Sequence, residues 1–174
     1  MPTGSRASAR PRITTSASVS PPARTPWSTG SGEAAYEHLA PAGELRLRMR
    51  GSLEWQPGGD ERQLADLVER RRSGTVGRLA CGNVKFFHDG VVENRTAAML
   101  DPYLDADGRL TGEYGLDQYP LAELERFVRL CDAEGFGVHI HTIGDRAVRE
   151  SLDVLEAAIR ANGRRDARHQ LAHV

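Results

Sequence analysis

Residues 120–141, PLAELERFVRLCDAEGFGVHIH, carry a helix and a strand end to end. Pro120 suits the first turn of a helix, where its missing N–H costs nothing, and Leu121, Leu124, Val128 and Cys131 recur at the spacing of one inward face. Gly135 and Gly137 stop that helix, and Val138 to His141 then reads as a strand. The pattern repeats outward on both sides. Upstream, residues 77–87 end in Asn83-Val84-Lys85-Phe86-Phe87 and read as a strand, and Asp60 is placed to cap a helix with Leu64, Leu67 and Val68 on one face. Residues 44–50 alternate apolar and basic as a half-buried strand does, and residues 34–40 suit a short helix. Downstream, Asp145 is expected to cap a helix with Val148, Leu152, Leu155 and Ile159 on one stripe; Asn162-Gly163 ends it, and residues 168–174 read as a last strand. Strands alternating with helices at this spacing predict an α/β fold of right-handed βαβ units on a parallel sheet.

Residues 1–32 have a different character, holding 7 Ser, 5 Thr and 5 Pro and no acidic residue. Such a composition buries too little apolar surface to offset the entropy of ordering, so residues 1–32 are expected to be a disordered tail. The body, residues 33–174, carries 19 Lys and Arg against 24 Asp and Glu, which is one ordinary domain of mildly acidic charge. That balance argues against a nucleic-acid partner, and a mean hydropathy of −0.49 without a long apolar run argues against a membrane span. Two cysteines, Cys81 and Cys131, are too few for a disulfide framework, and a reduced, cytoplasmic setting is the default expectation. Residues 88–119, rich in Gly and Asp, form a connection long enough to expect a functional role.

Of the 23 Lys and Arg, only Lys85 is lysine. Arginine cannot shed its proton, whereas a desolvated lysine becomes a neutral nucleophile able to take up carbon dioxide as a metal-binding carbamate. His139 and His141, two apart on a strand, face the same side roughly 6 to 7 Å from one another. His169 and His173 also share a face but lie about 13 Å apart if extended, so only one of them reaches the C-terminal end of its strand, where parallel α/β folds carry their sites. The C-terminal member of each pair, together with Lys85, gives one rim: Lys85, His141 and His173. Nitrogen and carboxylate-type donors in that arrangement suit zinc or a similar divalent ion. Asp89, four residues past Lys85, is read as a residue at the start of a loop, and Asp105-Ala106-Asp107-Gly108 as a turn. No dinucleotide or phosphate-loop glycine pattern occurs, which disfavours a nucleotide-binding module.

Residues 84–98, VKFFHDGVVENRTAA, with Leu100-Asp101-Pro102-Tyr103 after them, resemble the VKxFxDGxxExxTAAxxxPY signature of the YtcJ-like amidohydrolases, the amidohydrolase family 3 enzymes that include N-substituted formamide deformylase. Val138-His139-Ile140-His141-Thr142-Ile143-Gly144-Asp145-Arg146-Ala147-Val148 is similar to the HxHAIGDRAV segment of that family. Arg168-His169-Gln170-Leu171-Ala172-His173 is similar to its RHxIEH strand, with Ala172 where the family has Glu. The resemblance implies a partial (β/α)8 barrel over residues 33–174, about strands three to six with their helices, truncated at both ends. It implies that Lys85 matches a strand-four lysine that is often carboxylated and bridges metals, and that His141 and His173 match the ligands of strands five and six. His139 and Asp145 stand as candidates for supporting these ligands.

The implied function is a metal-dependent hydrolase of non-peptide carbon–nitrogen bonds, with a divalent metal, zinc by expectation, and a small-molecule amide or formamide substrate. The family's strand-one His-x-His pair and strand-eight Asp find no match, so the catalytic residues stay unassigned and the chain is expected to be inactive alone. The alternative is a non-catalytic α/β module whose open sheet edges associate with a second copy or with a partner supplying the rest of a barrel.

Overall fold

The computed structural model describes residues 14–16, 38–45 and 48–174. Its elements in chain order are β1 (Thr14–Ser16), β2 (Arg48–Glu54), α1 (Glu61–Gly74), β3 (Leu79–Phe87), α2 (Leu121–Ala133), β4 (Gly137–His141), α3 (Asp145–Asn162) and β5 (Gln170–Ala172). The sheet runs β1-β2-β3-β4-β5, and each neighbouring pair is parallel. Strand order equal to chain order matters physically. Each right-handed crossover then delivers its helix to the same face of the sheet, whereas a doubly wound sheet reverses its order and covers both faces. The chain is therefore α/β with the winding of a barrel wall, a partial (β/α)8 architecture.

Alternation along the strands sorts the side chains accordingly. Leu53, Val84, Phe86, Val138 and Ile140 point to the helices and are buried in one cluster with Leu67 of α1, Leu124, Phe127, Val128 and Cys131 of α2, and Val154, Leu155 and Ala158 of α3. Ser52, Glu54, Lys85, Phe87, His139 and His141 take the other, helix-free face. One irregularity adjusts the count: the β2–β3 register passes from Gly51↔Cys81 to Ser52↔Asn83, leaving Gly82 as an extra residue in β3. This bulge lets Cys81 and Val84, three apart, both join the helix-side core.

Several sequence expectations meet the structure directly. Asp60 caps α1, accepting the N–H groups of Arg62 and Gln63 at 2.9 and 3.4 Å. Leu124, Val128 and Cys131 are fully buried, but Leu121 is 44% exposed and Phe127 takes the inward place instead. In α3 the expected stripe is displaced. Leu152 and Ile159 are exposed, while Ala147, Ser151, Val154, Leu155 and Ala158 are buried, and α3 lies closely along α2. Asp145 is the first residue of α3 rather than its cap; Gly144 holds the cap position and has no side chain to offer. The strand expected over residues 44–50 begins at Arg48 and runs on to Glu54.

β1 lies within the stretch read as a disordered tail, where Thr14, Thr15 and Ser16 pair with Arg48, Met49 and Arg50 of β2. Pairing to an existing strand supplies backbone hydrogen bonds that composition alone does not reveal. The rest of that tail and most of the helix expected over residues 34–40 lie outside the described residues, though His38 and Leu39 are helical.

Residues 88–119 return to the sheet through two aromatic anchors. The Tyr119 hydroxyl donates to Trp55 O at 3.0 Å, and Trp55 stacks with Phe86 and Phe127 at centroid distances of 5.8 and 4.3 Å. Asp105 Oδ1 accepts the N–H groups of Asp107 and Arg109, so residues 105–108 form a turn as expected. Phe86 is fully buried between Trp55 and Tyr119. Phe86→Ala is expected to cost about 3–5 kcal/mol of unfolding free energy in urea titrations, and a loss below about 1 kcal/mol would contradict this account of the core.

Candidate functional site

At the C-terminal ends of β2, β3 and β4 the sheet opens into a cleft of about 380 Å³ lined by residues that include Glu54, Phe87, Asp89, Gly90, Tyr119 and His141. The register sets two rungs of side chains below and beside it. Glu54 pairs with Lys85, Lys85 with His139 and His139 with Gln170; one rung higher, Phe87 pairs with His141 and His141 with Ala172. Lys85 therefore stands between an acid and a histidine, one rung below His141.

Burial dominates the electrostatics of this face. It pushes the Lys85 ammonium down to about 8, against the opposing pull of Glu54. His139 is lowered to about 4, first by burial and then by the positive fields of Lys85, His173 and His141. His173 is also lowered, by burial and then by His141 and Lys85, with Asp89 opposing. Each of these groups thus feels the others. The rings of His141 and His173 lie 4.7 Å apart, and His173 sits just past β5 with a left-handed backbone, φ 78°. Lys85 Nζ lies 5.0 Å from the Phe87 ring, and no hydrogen bond or ion pair holds it among the described residues.

His141 Nε2 lies 3.0 Å from Gly90 O. A carbonyl only accepts, so Nε2 carries a proton, and in the neutral ring Nδ1 then keeps the lone pair. His139 Nδ1 lies 3.4 Å from Ser52 Oγ, a contact between β2 and β4 that arches over β3 beside Lys85. His169 belongs to the opposite end of the sheet: its Nδ1 accepts Val138 N–H at 3.1 Å and its Nε2 lies 3.2 Å from Asp132. Asp145 is exposed, and its Oδ1 accepts Leu100 N–H and Arg146 N–H at 2.8 Å each, so it fastens the long connection to α3 instead of facing the histidines.

The donor chemistry fits a divalent ion in part. Two imidazoles sharing one tetrahedral ion have ring centroids roughly 5 Å apart, given metal–nitrogen bonds of about 2.1 Å, and His141 and His173 are close to that. His141 has the arrangement typical of a ligating histidine, one ring nitrogen given to a carbonyl and the other left with its lone pair. Among the described residues no three His, Cys, Asp or Glu group together as a metal ion would need.

Two features of the site escape the sequence reading. Asp89 is not merely the start of a loop: the chain turns after Phe87, and its fully buried carboxylate accepts from Ala98 N at 3.0 Å, Ile143 N at 3.1 Å and Gly144 N at 2.8 Å. His88 is also fully buried, its Nε2 2.8 Å from Glu150 of α3. The only sequence signal for either was an ionisable pair immediately after a strand.

Comparisons with known proteins agree with this architecture. The sequence profile of the amidohydrolase family matches residues 5–174 and so includes most of the expected tail. The chain is 34% identical over 111 residues to Protein LONG AFTER FAR-RED 3 of Arabidopsis thaliana, covering 64% of the chain and 18% of that protein. It is 30% identical over 130 residues to the exoenzymes regulatory protein AepA of Pectobacterium carotovorum, covering 74% and 27%. With the putative amidohydrolase YtcJ of Bacillus subtilis it shares 26% over 149 residues, covering 80% and 27%. The chain thus spans 18 to 27% of the length of these curated relatives. Crystal structures of uncharacterized metal-dependent hydrolases from Pyrococcus horikoshii and Pyrococcus furiosus superpose with TM-scores of 0.55 at 28% and 26% identity. They cover 71% and 72% of this chain and 24% and 25% of theirs. By the extent of the profile match, and with a sheet wound in the sense its strand order requires, this chain belongs to the amidohydrolase family.

Proposed function

We propose that the chain supplies Lys85, His141 and His173 as one side of a divalent-metal site in a hydrolase of non-peptide carbon–nitrogen bonds, with amides or formamides as the substrate class and zinc as the metal. The observation that carries this reading is the meeting of the single lysine with two histidines on the helix-free face, at the C-terminal ends of the strands. Family membership, the printed name of YtcJ and the titles of the two archaeal structures support it.

When bound, such an ion supplies Lewis-acid polarisation of a carbonyl and activation of water. His141 and His173 would hold it through ring nitrogens, and Lys85 would join them after its neutral amine takes up carbon dioxide as a carbamate. Burial favours the neutral amine, and Phe87 and Tyr119 help keep the cleft wall apolar. His139 on the same rung and Ser52 on the rung below would hold Lys85 upright. A cytoplasmic location is part of the same proposal and rests on the low cysteine content.

Zinc titration of metal-free chain tests the ligand set. Binding that weakens at least tenfold in both His141→Ala and Lys85→Arg is expected; no binding, or binding indifferent to both changes, would sink the assignment. The unmodified chain is also expected to give no turnover of N-acyl or formamide substrates above a metal-free control, because the two carboxylates lining the cleft are engaged, Glu54 beside Lys85 and Asp89 with three backbone N–H groups. Saturable zinc-dependent hydrolysis that vanishes in His141→Ala would overturn that expectation.

Lys85 offers an independent readout, since acylation of the only ε-amine is read unambiguously by peptide mass mapping. The labelling rate is expected to titrate with a midpoint near 8 rather than 10.5. The unfolded chain binds more protons at this group between those values, so its contribution to stability rises with pH from about 8 to 10.5. A midpoint near 10.5 would show that burial does not act on Lys85 as described.

A second reading, self-association through the sheet edges, is favoured by β1 and β5 each having one paired neighbour among the described strands. Both edges are three residues long, which limits them as templates. Light scattering decides between a monomer and an oligomer at micromolar concentration.

A further inference from the structure

Asp89 bridges the connection after β3 and the turn after β4 at the rim. Its Oδ2 accepts Ala98 N–H from the β3–α2 connection, and its two oxygens together accept Ile143 N–H and Gly144 N–H from the turn between β4 and α3. These last two groups precede the first turn of α3, whose cap position, Gly144, has no side chain. The carboxylate therefore holds, from 55 residues away, the backbone that enters the helix, while the capping of the first turn itself falls to a backbone carbonyl. Glycine is required there, because a Cβ on Gly144 would meet Ala98 O at 1.9 Å. The clasp is also closed from the other direction, since Ala98 O accepts the N–H groups of Arg146 and Ala147.

The residue after Asp89 is the one that touches His141. Gly90 N donates to Thr96 O at 3.0 Å, Val91 N donates to Thr96 Oγ1 at 2.9 Å, and a Cβ on Gly90 would collide with the Thr96 side chain at 2.1 Å, so the peptide between Gly90 and Val91 is held in one orientation. That orientation aims Gly90 O at His141 Nε2. Asp89 Oδ1 itself lies 3.8 Å from the same nitrogen, beyond hydrogen-bonding distance. The acid thus acts on the imidazole through the backbone it holds.

We propose that Asp89 is the positioning residue of the site: by clasping the turns after β3 and β4 together, it holds Gly90 O against His141 Nε2 and fixes His141 as the tautomer whose Nδ1 lone pair is free to ligate. The inference deepens the metal-site reading and rests on it for the ligand role of His141, though not for the tautomer. Removing a group that orients a ligating histidine typically costs 10- to 100-fold in metal affinity.

Nitrogen-15 NMR of the imidazole rings in the metal-free full chain reads the tautomer directly, with His141→Gln identifying the signal. The unaltered chain is expected to show His141 protonated at Nε2, with slow amide exchange at Ala98, Ile143 and Gly144. A His141 protonated at Nδ1, or fast exchange at those three amides, overturns the proposal without any substitution at Asp89.

In Asp89→Asn and Asp89→Ala, His141 is expected to become a mixture of tautomers while circular dichroism retains the helix content, and zinc affinity is expected to fall 10- to 100-fold. An unchanged tautomer in either folded variant also overturns it. The two readings fail separately. Zinc binding that ignores His141 removes the metal role and leaves the tautomer result standing, whereas zinc binding that needs His141 but ignores Asp89 removes the positioning role alone.

Discussion

Right-handed crossovers between strands laid down in chain order leave this sheet with one face under helices and one face without them, and the placement of polar side chains follows from that. Val84, Phe86, Val138 and Ile140 have to satisfy α1, α2 and α3, so the residues between them are released from packing duty. Lys85, His139 and His141 occupy these released positions. A lysine buried under helices would need a partner or would have to be replaced by an apolar residue. On the helix-free face it keeps company with other polar groups, near enough for burial to lower its proton affinity and for two imidazoles to share its surroundings.

The strands position these side chains only as far as the sheet extends, and the turns beyond take over at the rim. His141 is the last residue of β4, paired with Phe87 and Ala172, whereas His173 lies one residue past β5 and beyond its pairing. What holds the rim is a set of contacts between the long connection after β3 and the start of α3. Arg146 reaches both oxygens of Asp117 at 2.9 Å, Asp145 takes Leu100 N–H, and Glu150 takes His88. Residues 88–119 are thereby bound to the helix that follows the site, and the connection behaves as part of its wall.

The alternation of β3 and β4 and the facing of Lys85, His139 and His141 are legible from sequence because strand periodicity is exact over short runs. The phases of α2 and α3 are less so. Leu121, Leu152 and Ile159 suggest themselves as inward residues by size, yet the close approach of α3 to α2 goes with small buried residues, Ala147, Ser151 and Ala158. β1 is invisible for a different reason, since Thr14–Ser16 sits in polar, proline-rich surroundings and pairs with a strand more than 30 residues away. Asp89 and Gly90 act through backbone groups contributed by Thr96, Ala98, Ile143 and Gly144, and no spacing rule links those positions.

The extra residue at Gly82 divides β3 into two stretches that count independently. In a regular strand a gain or loss of one residue anywhere reverses the facing of everything beyond it. Here the lower stretch ends at the bulge, so a change of length in the crossover before it can be taken up where pairing is already broken. Between Asn83 and Phe87 there is no such slack, because five consecutive residues pair with β4. The strand therefore combines a segment in which insertions are tolerable with one in which a single insertion would turn Lys85 toward the helices.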